Sequence, residues 1–290
     1  MSKAPKIRSF FDETTYTVTH VLWDADTKQC AVIDSVLDYD AASGRTQTAS
    51  ADEVISFIRS HDLSLQWILE THAHADHLSA APYIKKTLGG QIGIGEHIKI
   101  VQEVFTRVFN LDAEEFKNRS AYFDVLFKDG QSFQLGNLTI TVLHTPGHTP
   151  ACITYLIDDA AFVGDTMFMP DYGTARCDFP GGDAATLYRS IHKIFALPEN
   201  TRLFMCHDYK APGRDEFAWE TTVAEQRSQN VHINDSVSEE QFVTMRTARD
   251  KTLNMPKLIM PSIQVNIRAG ELPEPDSNGI RYLKIPLNAL

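Results

Sequence analysis

Residues 72–77 are His72-Ala73-His74-Ala75-Asp76-His77, which places four side chains able to bind a metal ion within six residues. The hexapeptide follows the apolar run Trp67-Ile68-Leu69, which predicts a buried strand that ends at Glu70-Thr71. A short turn after a strand can direct several imidazoles at one point, whereas a helix presents only positions three or four apart. The hexapeptide therefore predicts a metal site at the end of a strand.

Three further motifs follow at long intervals, and each comes directly after an apolar stretch with strand propensity. They are Thr145-Pro146-Gly147-His148, Val163-Gly164-Asp165 and Met205-Cys206-His207-Asp208. A single histidine-rich turn could arise by chance, but four such motifs in this order indicate a metal centre.

The ligand set is compatible with one metal ion. His72, His148 and Asp165 supply two imidazoles and one carboxylate, and on one face of an octahedron they leave three positions open. This arrangement is the facial triad of non-haem Fe(II) oxygenases.

The same motifs could also hold two ions, which would suit hydrolysis because adjacent metals generate a hydroxide near neutral pH. In that arrangement one ion is bound by His72, His74 and His148, the other by Asp76, His77 and His207, and Asp165 bridges them. The ligand types alone support either one iron or two zincs.

The combined motif set resembles the metallo-β-lactamase superfamily over roughly residues 10–230. The resemblance implies an α/β fold, the αβ/βα sandwich, with two mixed β-sheets, helices on the outer faces and metals at one edge of the sheets. Because this superfamily contains hydrolases, nucleases and oxidoreductases, the fold does not decide the function.

Composition limits the partners and the compartment. The 290 residues are 43% hydrophobic, enough to bury a large core, and the net charge of −11 argues against a nucleic-acid partner. No apolar run approaches the ~18 residues of a membrane span, and the first residues lack the apolar core of a signal peptide. The four cysteines form no CxxC pair, so we expect reduced thiols in a cytoplasmic protein.

Hydrophobic periodicity predicts alternating strands and helices in a catalytic domain of residues 1–254, followed by an extended proline-containing tail, residues 255–290, packed on the same domain. Hairpins are expected at Gly136-Asn137 and Asp158-Asp159. The predicted helices are 51–61 with Asp52 as its cap, 78–88, 96–110 with Ile100, Val104 and Val108 on its buried face, 183–197, 217–228 and 238–249.

The stretch after Asp165 separates the two functional hypotheses. Glyoxalase II, the zinc thioesterase of the superfamily, usually has a Gly-Cys-Gly-Arg/Lys-Phe-type sequence here, whereas this chain has Arg176-Cys177-Asp178-Phe179. That stretch resembles the persulfide dioxygenases, and in particular their bacterial β-lactamase-like branch. Residues 35–40, 171–174 and 266–273 also fit this branch.

The resemblance implies one Fe(II) per chain, bound by His72, His148 and Asp165. It also implies a set of catalytic groups that bind no metal, namely His74, Asp76, His77 and His207. Asp178 is a physical candidate for holding the imidazoles by hydrogen bonds.

The implied reaction oxidises glutathione persulfide with O2 to sulfite and glutathione. Glutathione carries two carboxylates, which require cationic or hydrogen-bonding groups in this acidic protein. The candidates are Arg176 first, then Tyr209, Lys210 and Arg214, with Arg268 as a weaker one.

The sequence thus predicts a mononuclear iron persulfide dioxygenase. The alternative is a dinuclear zinc thioesterase of the glyoxalase II type acting on S-acylglutathione, and a third hypothesis is a sulfur carrier without catalysis. No sequence feature tests the oligomeric state, for which a homodimer is one hypothesis.

Overall fold

A computed structural model describes residues 4–118 and 122–288, and its strands and helices alternate along the chain. In chain order, the elements of these residues are β1 (Lys6–Asp12), β2 (Thr17–Trp23), β3 (Gln29–Ile33), β4 (Val36–Asp40), β5 (Arg45–Gln47), α1 (Ala49–Ser60), β6 (Ser64–Leu69), β7 (Leu78–Ser79), α2 (Ala81–Leu88), β8 (Gln91–Gly95), α3 (Ile98–Val108), α4 (Ala113–Asn118), β9 (Val125–Phe127), β10 (Ser132–Leu135), β11 (Leu138–His144), β12 (Ile153–Ile157), β13 (Ala160–Phe162), α5 (Ala184–Phe195), β14 (Arg202–Phe204), β15 (Glu220–Thr222), α6 (Val223–Gln229), α7 (Glu239–Asp250) and α8 (Ile259–Asn266).

The described strands form two large mixed sheets and a small one. Sheet I has the order β1-β2-β3-β6-β8-β9, with antiparallel pairs up to β3 and parallel pairs beyond it. Sheet II has the order β10-β11-β12-β13-β14-β15, in which only the β13–β14 pair of the described strands is parallel. The small sheet, β5-β4-β7, is antiparallel.

The two large sheets pack face to face, with helices on both outer faces. Leu22 and Ile33 of sheet I belong to the same buried cluster as Ile140 and Tyr155 of sheet II. Helices α1, α2, α3 and α8 contribute to the core on the other face of sheet I, and α5, α6 and α7 to the core on the outer face of sheet II. These layers are the αβ/βα sandwich predicted from the sequence.

Both predicted hairpins are confirmed. Gly136, with a φ of 60°, lies in the turn between β10 and β11, and Asp158, with a φ of 51°, lies in the turn between β12 and β13. Glycine and aspartate tolerate this left-handed conformation better than most residues, so the two turns can form without large strain.

Several helix boundaries differ from the prediction because tertiary pairing overrides local propensity. Residues 220–222 form the edge strand β15 on β14, so the expected helix 217–228 begins only at Val223. Leu78 and Ser79 pair with β4, so the next helix begins at Ala81. Helix α1 begins after Thr48, and Asp52 accepts a hydrogen bond from the Thr48 hydroxyl inside the first turn instead of capping the helix.

Helix α3 is rotated relative to the prediction. Ile100 is 43% exposed, whereas Ile98, Val101 and Phe105 are buried. The expected face, which also included Val104 and Val108, is therefore wrong at Ile100, and the buried stripe passes through other positions.

The C-terminal part contains α8, where an extended path was expected. Ile263, Val265 and Asn266 are buried in this helix, which packs beside β7. The division at residue 254 stays a prediction. Among the described residues, no helix combines the length and apolar character needed to cross a membrane.

Candidate metal centre

Four strand ends deliver the motif residues to one edge of the sandwich. Residues 72–77 follow β6 of sheet I, while His148, Asp165 and His207 follow β11, β13 and β14 of sheet II. Strands β13 and β14 are parallel neighbours, so the residues after them emerge side by side.

Two glycines let these loops approach their neighbours closely. Gly147 has a φ of 138°, and a Cβ there would lie 2.4 Å from the Leu187 Cα of α5. Gly164 has a φ of 53°, and a Cβ there would lie 2.6 Å from Thr71 Oγ1, beside His72. A side chain at either position would displace the ligand residue that follows it.

His72, His148 and Asp165 bring one potential ligand atom each to within 4.8 Å of one another, and all three are buried. Asp165 Oδ2 lies 3.8 Å from His72 Nε2 and 3.7 Å from His148 Nε2. These separations are too long for hydrogen bonds, so the three atoms converge without satisfying one another. A bound cation would satisfy them, and the predicted triad fits that role.

A second group of potential ligands lies beside the first. It consists of His74, Asp76, His77 and His207. His207 Nε2 lies 3.2 Å from Asp76 Oδ2 and 3.5 Å from Asp165 Oδ1, so Asp165 lies between the two groups. Two buried nitrogens, His74 Nδ1 and His77 Nε2, have no hydrogen-bond partner among the described residues, and the contact of His207 Nε2 with Asp76 is not aligned as a hydrogen bond. The second group could therefore also hold an ion.

His74 is held from behind by two buried carboxylates. Its Nε2 lies 3.0 Å from Asp34 Oδ1 and 3.2 Å from Glu70 Oε2. Burial alone would lower the pKa of His74, but the two carboxylates raise it well above its usual value. Burial also raises the pKa of Glu70. Sequence reasoning missed Asp34 and Glu70, although both are acidic residues at the ends of apolar strands.

Hydrogen bonds orient the two imidazoles of the triad. His148 Nδ1 donates to the Arg176 carbonyl at 2.7 Å, which leaves the Nε2 lone pair free towards Asp165. His72 Nδ1 lies 3.0 Å from Thr71 Oγ1. Burial and the neighbouring His74 lower the pKa of His72 well below its usual value, which keeps this imidazole neutral. Neutral imidazoles are the form that binds metal ions.

Tyr209 and Thr17 contact the second group. The Tyr209 hydroxyl donates to Asp76 Oδ2 at 3.1 Å, and its ring stacks on His207. Burial raises the pKa of Tyr209 well above its usual value, so the hydroxyl stays protonated. Thr17 Oγ1 lies 3.2 Å from His77 Nδ1 and 3.4 Å from His207 Nδ1. Tyr209 was expected to bind substrate, but its hydroxyl is occupied by Asp76, and Thr17 was not predicted at all.

Asp178 was expected to hold the imidazoles, which the structure contradicts, whereas the substrate role of Arg176 stays a prediction. The Arg176 guanidinium donates to both carboxylate oxygens of Asp178, at 2.6 and 2.7 Å, and to the Asn254 carbonyl at 2.6 Å. Asp178 thus holds an arginine and not an imidazole, and a substrate carboxylate would have to displace it from Arg176. The imidazole contact of this loop comes from the Arg176 carbonyl instead.

The other cationic candidates differ in whether a carboxylate of the protein already pairs with them. Arg214 binds Asp171 and Asp208, and the buried Arg268 binds Glu115. Lys210 is half-buried with its ammonium 4.1 Å from the centre of the Phe217 ring, and no carboxylate among the described residues forms an ion pair with it. Lys210 is therefore the predicted substrate cation that stays available.

A sequence model of the metallo-beta-lactamase superfamily matches residues 14–207, which include every residue of the two ligand groups. The chain belongs to the metallo-β-lactamase superfamily. The fold predicted from the sequence is thereby confirmed, and the residues at the sheet edge occupy the region where this superfamily carries its metal ligands.

Known members of the superfamily resemble the whole chain. A probable metallo-hydrolase of Burkholderia pseudomallei is 55% identical, over 98% of this chain and 99% of its own. Glyoxylase B2 of Dictyostelium discoideum is 51% identical, over 100% and 99%. The mitochondrial persulfide dioxygenase ETHE1 of Bos taurus is 31% identical, over 91% and 88%. The crystal structure of ETHE1 from Myxococcus xanthus superposes with a TM-score of 0.73 at 28% identity, covering 92% of this chain and all of that one.

Proposed function

We propose that this superfamily member is a persulfide dioxygenase with one Fe(II) bound by His72, His148 and Asp165. The observation that carries the proposal is the grouping of these three donors, two imidazoles and one carboxylate, apart from His74. This combination is typical of non-haem Fe(II) oxygenases, whereas a catalytic zinc hydrolase of this fold would recruit His74 to the same ion. The proposed reaction converts glutathione persulfide and O2 to sulfite and glutathione.

The residues around the triad have separate tasks in this proposal. Iron, when bound, supplies the O2 chemistry that side chains cannot perform. Asp165 contributes the negative charge, and the Arg176 carbonyl fixes the tautomer of His148. Asp34 and Glu70 hold His74 behind the triad, while Tyr209 fixes the carboxylate of Asp76. These groups orient the ligands and set the charge around a buried site.

A relative of low sequence identity supports this proposal. The bovine relative named as a persulfide dioxygenase is 31% identical to this chain over the aligned region, which covers 91% of the chain. Within the chain, the stretch Arg176-Cys177-Asp178-Phe179, which resembles the persulfide dioxygenases, lies at the candidate site. Its Arg176 carbonyl accepts a hydrogen bond from His148. We place the reaction in the cytoplasm as part of the proposal, because all four cysteines are free thiols.

A dinuclear zinc thioesterase is the second candidate, and a specific observation favours it. The free nitrogens of His74, His77 and His207 and the neighbouring Asp165 could hold a second ion. The relative named glyoxylase B2, at 51% identity, has a name consistent with this chemistry.

Metal analysis and turnover decide between the candidates. Protein expressed with both iron and zinc available should contain close to one iron per chain and should take up O2 with glutathione persulfide. Two zincs per chain with hydrolysis of S-lactoylglutathione would overturn the proposal in favour of the thioesterase. Stoichiometric persulfide binding without turnover of either substrate would favour the sulfur carrier.

A further inference from the structure

The carbonyl that orients His148 belongs to a loop of residues 173–178 that has no regular secondary structure. A hydrogen bond from an imidazole to a flexible loop would orient the ring poorly, because the carbonyl would move with the loop. The contacts that immobilise this loop therefore decide how well His148 is directed towards Asp165.

A buried ion pair of helix α7 holds the loop on both sides of Arg176. Arg246 Nη1 donates to the Thr174 carbonyl at 3.0 Å, and the Cys177 amide donates to Asp250 Oδ2 at 2.8 Å. Arg246 Nε in turn donates to Asp250 Oδ1 at 2.8 Å. We call Arg246 and Asp250 the α7 ion pair; their exposed fractions are 1% and 5%.

A hydrogen bond and two close packing contacts also restrain the same loop. His232 Nδ1 accepts a hydrogen bond from the Thr174 amide at 3.0 Å, and a Cβ on Gly173 would lie 2.1 Å from that nitrogen. On the other side, a Cβ on Gly182 would lie 2.3 Å from the Cys177 carbonyl oxygen and 3.0 Å from that of His148. Gly182 thus lies close to both the loop and the backbone of His148, with no room for a side chain between them.

We propose that the α7 ion pair positions the metal ligand His148 by fixing the Arg176 carbonyl through the Thr174 and Cys177 backbone. A buried ion pair is weak evidence for a stabilising role, because well-packed apolar residues of similar volume often serve folding equally well. What apolar residues cannot supply is one donor and one acceptor aimed at the backbone on either side of Arg176. Helix α7 also lies beyond residues 14–207, the range that the superfamily model matches.

The proposal requires that His148 binds the metal, but it does not depend on which metal is bound. It would hold for the iron enzyme and for the zinc thioesterase. A failure of the persulfide dioxygenase proposal therefore leaves it standing, and its own failure would leave the proposed reaction untouched.

The test uses the full chain and Co(II), whose visible spectrum reports ligand geometry. The double variant Arg246→Met/Asp250→Leu replaces the pair with apolar residues, and Asp250→Asn keeps the shape but cannot accept from both Arg246 and the Cys177 amide. Arg249→Met removes an arginine from an exposed position of the same helix and is the control. Three quantities are measured: Co(II) affinity by chelator competition, the Co(II) spectrum, and the unfolding midpoint of the metal-free protein.

We expect the double variant and Asp250→Asn to bind Co(II) roughly 10 to 100-fold more weakly, the usual cost of losing a group that orients a ligand, with an altered spectrum. The metal-free unfolding midpoint of the double variant should fall, because the Thr174 carbonyl and the Cys177 amide lose their partners, so the Co(II) spectrum is the quantity that reports the orientation of His148. Arg249→Met should change none of the three quantities. Wild-type affinity and spectrum in either folded variant would overturn the proposal, as would an equal loss in Arg249→Met. If the double variant does not fold, the same two outcomes for Asp250→Asn decide.

Discussion

Two histidines only two residues apart, His72 and His74, occupy opposite chemical environments. His72 is neutral and directs Nε2 towards Asp165, whereas His74 is backed by Asp34 and Glu70. Both residues lie in the turn between β6 and β7, outside any strand, and this turn directs the two rings at different partners although their centres are only 4.1 Å apart. The two residues should therefore respond differently to substitution.

The first prediction is that the two ligand groups separate metal binding from turnover. His72→Ala, His148→Ala and Asp165→Ala should lose iron and activity together, because each removes a donor of the triad. His74→Ala should keep iron and lose roughly 10 to 100-fold in turnover, since it removes an orienting group. Iron content and O2 uptake are measured on each protein.

His61→Ala is the control, because this exposed histidine contacts only its own helix end. Loss of one of two bound metal ions in His207→Ala would contradict the mononuclear proposal, because His207 belongs to the second group and contacts Asp165 but is not one of the three proposed iron ligands.

The second prediction concerns Lys210, the cation that the structure leaves available for a glutathione carboxylate. Loss of a charged hydrogen bond costs on the order of 1.5–3 kcal/mol. Lys210→Met should therefore raise KM for glutathione persulfide by about tenfold or more, with little change in iron content. Steady-state kinetics with glutathione persulfide and with a small uncharged persulfide provide the measurement.

Lys251→Met, at an exposed position, should leave both KM values unchanged. An equal rise in KM for the two persulfides would show that Lys210 supports the protein and does not pair with the substrate carboxylate.

The grouping of the candidate ligands was predictable because each motif is local: the first donor follows the end of a strand within four residues, and a glycine precedes His148 and Asp165. The partners of Arg176 were not predictable. Asp178 and the Asn254 carbonyl occupy the guanidinium that a substrate would need. Asn254 lies 78 residues further along the chain, and no spacing rule predicts such a contact. The same holds for Thr17, which reaches His207 across 190 residues.

At the scale of elements, helix α8 fixes the loop of residues 72–77 through hydrogen bonds from one asparagine. Asn266 Nδ2 donates to the carbonyls of His74 and His77, at 2.8 and 2.7 Å, and its Oδ1 accepts from the Ser79 amide at 2.9 Å. This one amide satisfies three buried backbone groups in and just after the loop that carries four of the seven candidate ligands of the two groups.

The third prediction is that Asn266→Ala destabilises the protein by roughly 1–3 kcal/mol for each backbone group left buried and unsatisfied. Asn266→Asp should be at least as damaging, since it places a carboxylate oxygen against two carbonyls. Urea unfolding of the metal-free protein measures the loss. Asn278→Ala, at an exposed asparagine, is the control, and an unchanged midpoint in Asn266→Ala would contradict the role given to α8.

Elements with a long, regular pattern were predicted well, and short edge elements were not. The amphipathic pattern of α5 and the hairpin at Gly136 are local properties of the chain. Strands β7 and β15 have two and three residues, and they exist only because β4 and β14 offer backbone partners. Pairing of this kind is decided by tertiary contacts that the local sequence does not encode.

At the scale of the whole molecule, acid should weaken folding through a histidine outside both ligand groups. His20 is 1% exposed, with Nε2 donating to the Met205 carbonyl at 2.9 Å and Nδ1 2.9 Å from Ser9 Oγ. Burial lowers the pKa of His20 from 6.5 to about 4. The folded state therefore keeps this ring neutral in a pH range where the unfolded chain protonates it.

The fourth prediction follows from the sign of that shift. The contribution of His20 is fully present above pH 6.5 and is lost as the pH falls from there to about 4, because the unfolded state binds the extra proton. The His20→Gln protein should therefore lose less stability than the wild type across this range, by on the order of 3 kcal/mol. Urea unfolding of the metal-free proteins at several pH values measures the difference. Parallel pH curves for the wild type and His20→Gln would contradict the assignment, and His61→Gln controls for the loss of a histidine as such.

The contacts of Asn266 have a consequence for the biosynthesis of the protein. Its partners His74 and His77 precede it by 192 and 189 residues. A ribosome adds roughly 5–20 residues per second, so on the order of ten seconds or more pass between the synthesis of the histidines and that of the amide that fixes their loop. During that time the imidazoles of the nascent chain are not yet held in the geometry that would make the site selective for one metal ion. We therefore expect productive metal loading to follow translation of nearly the whole chain.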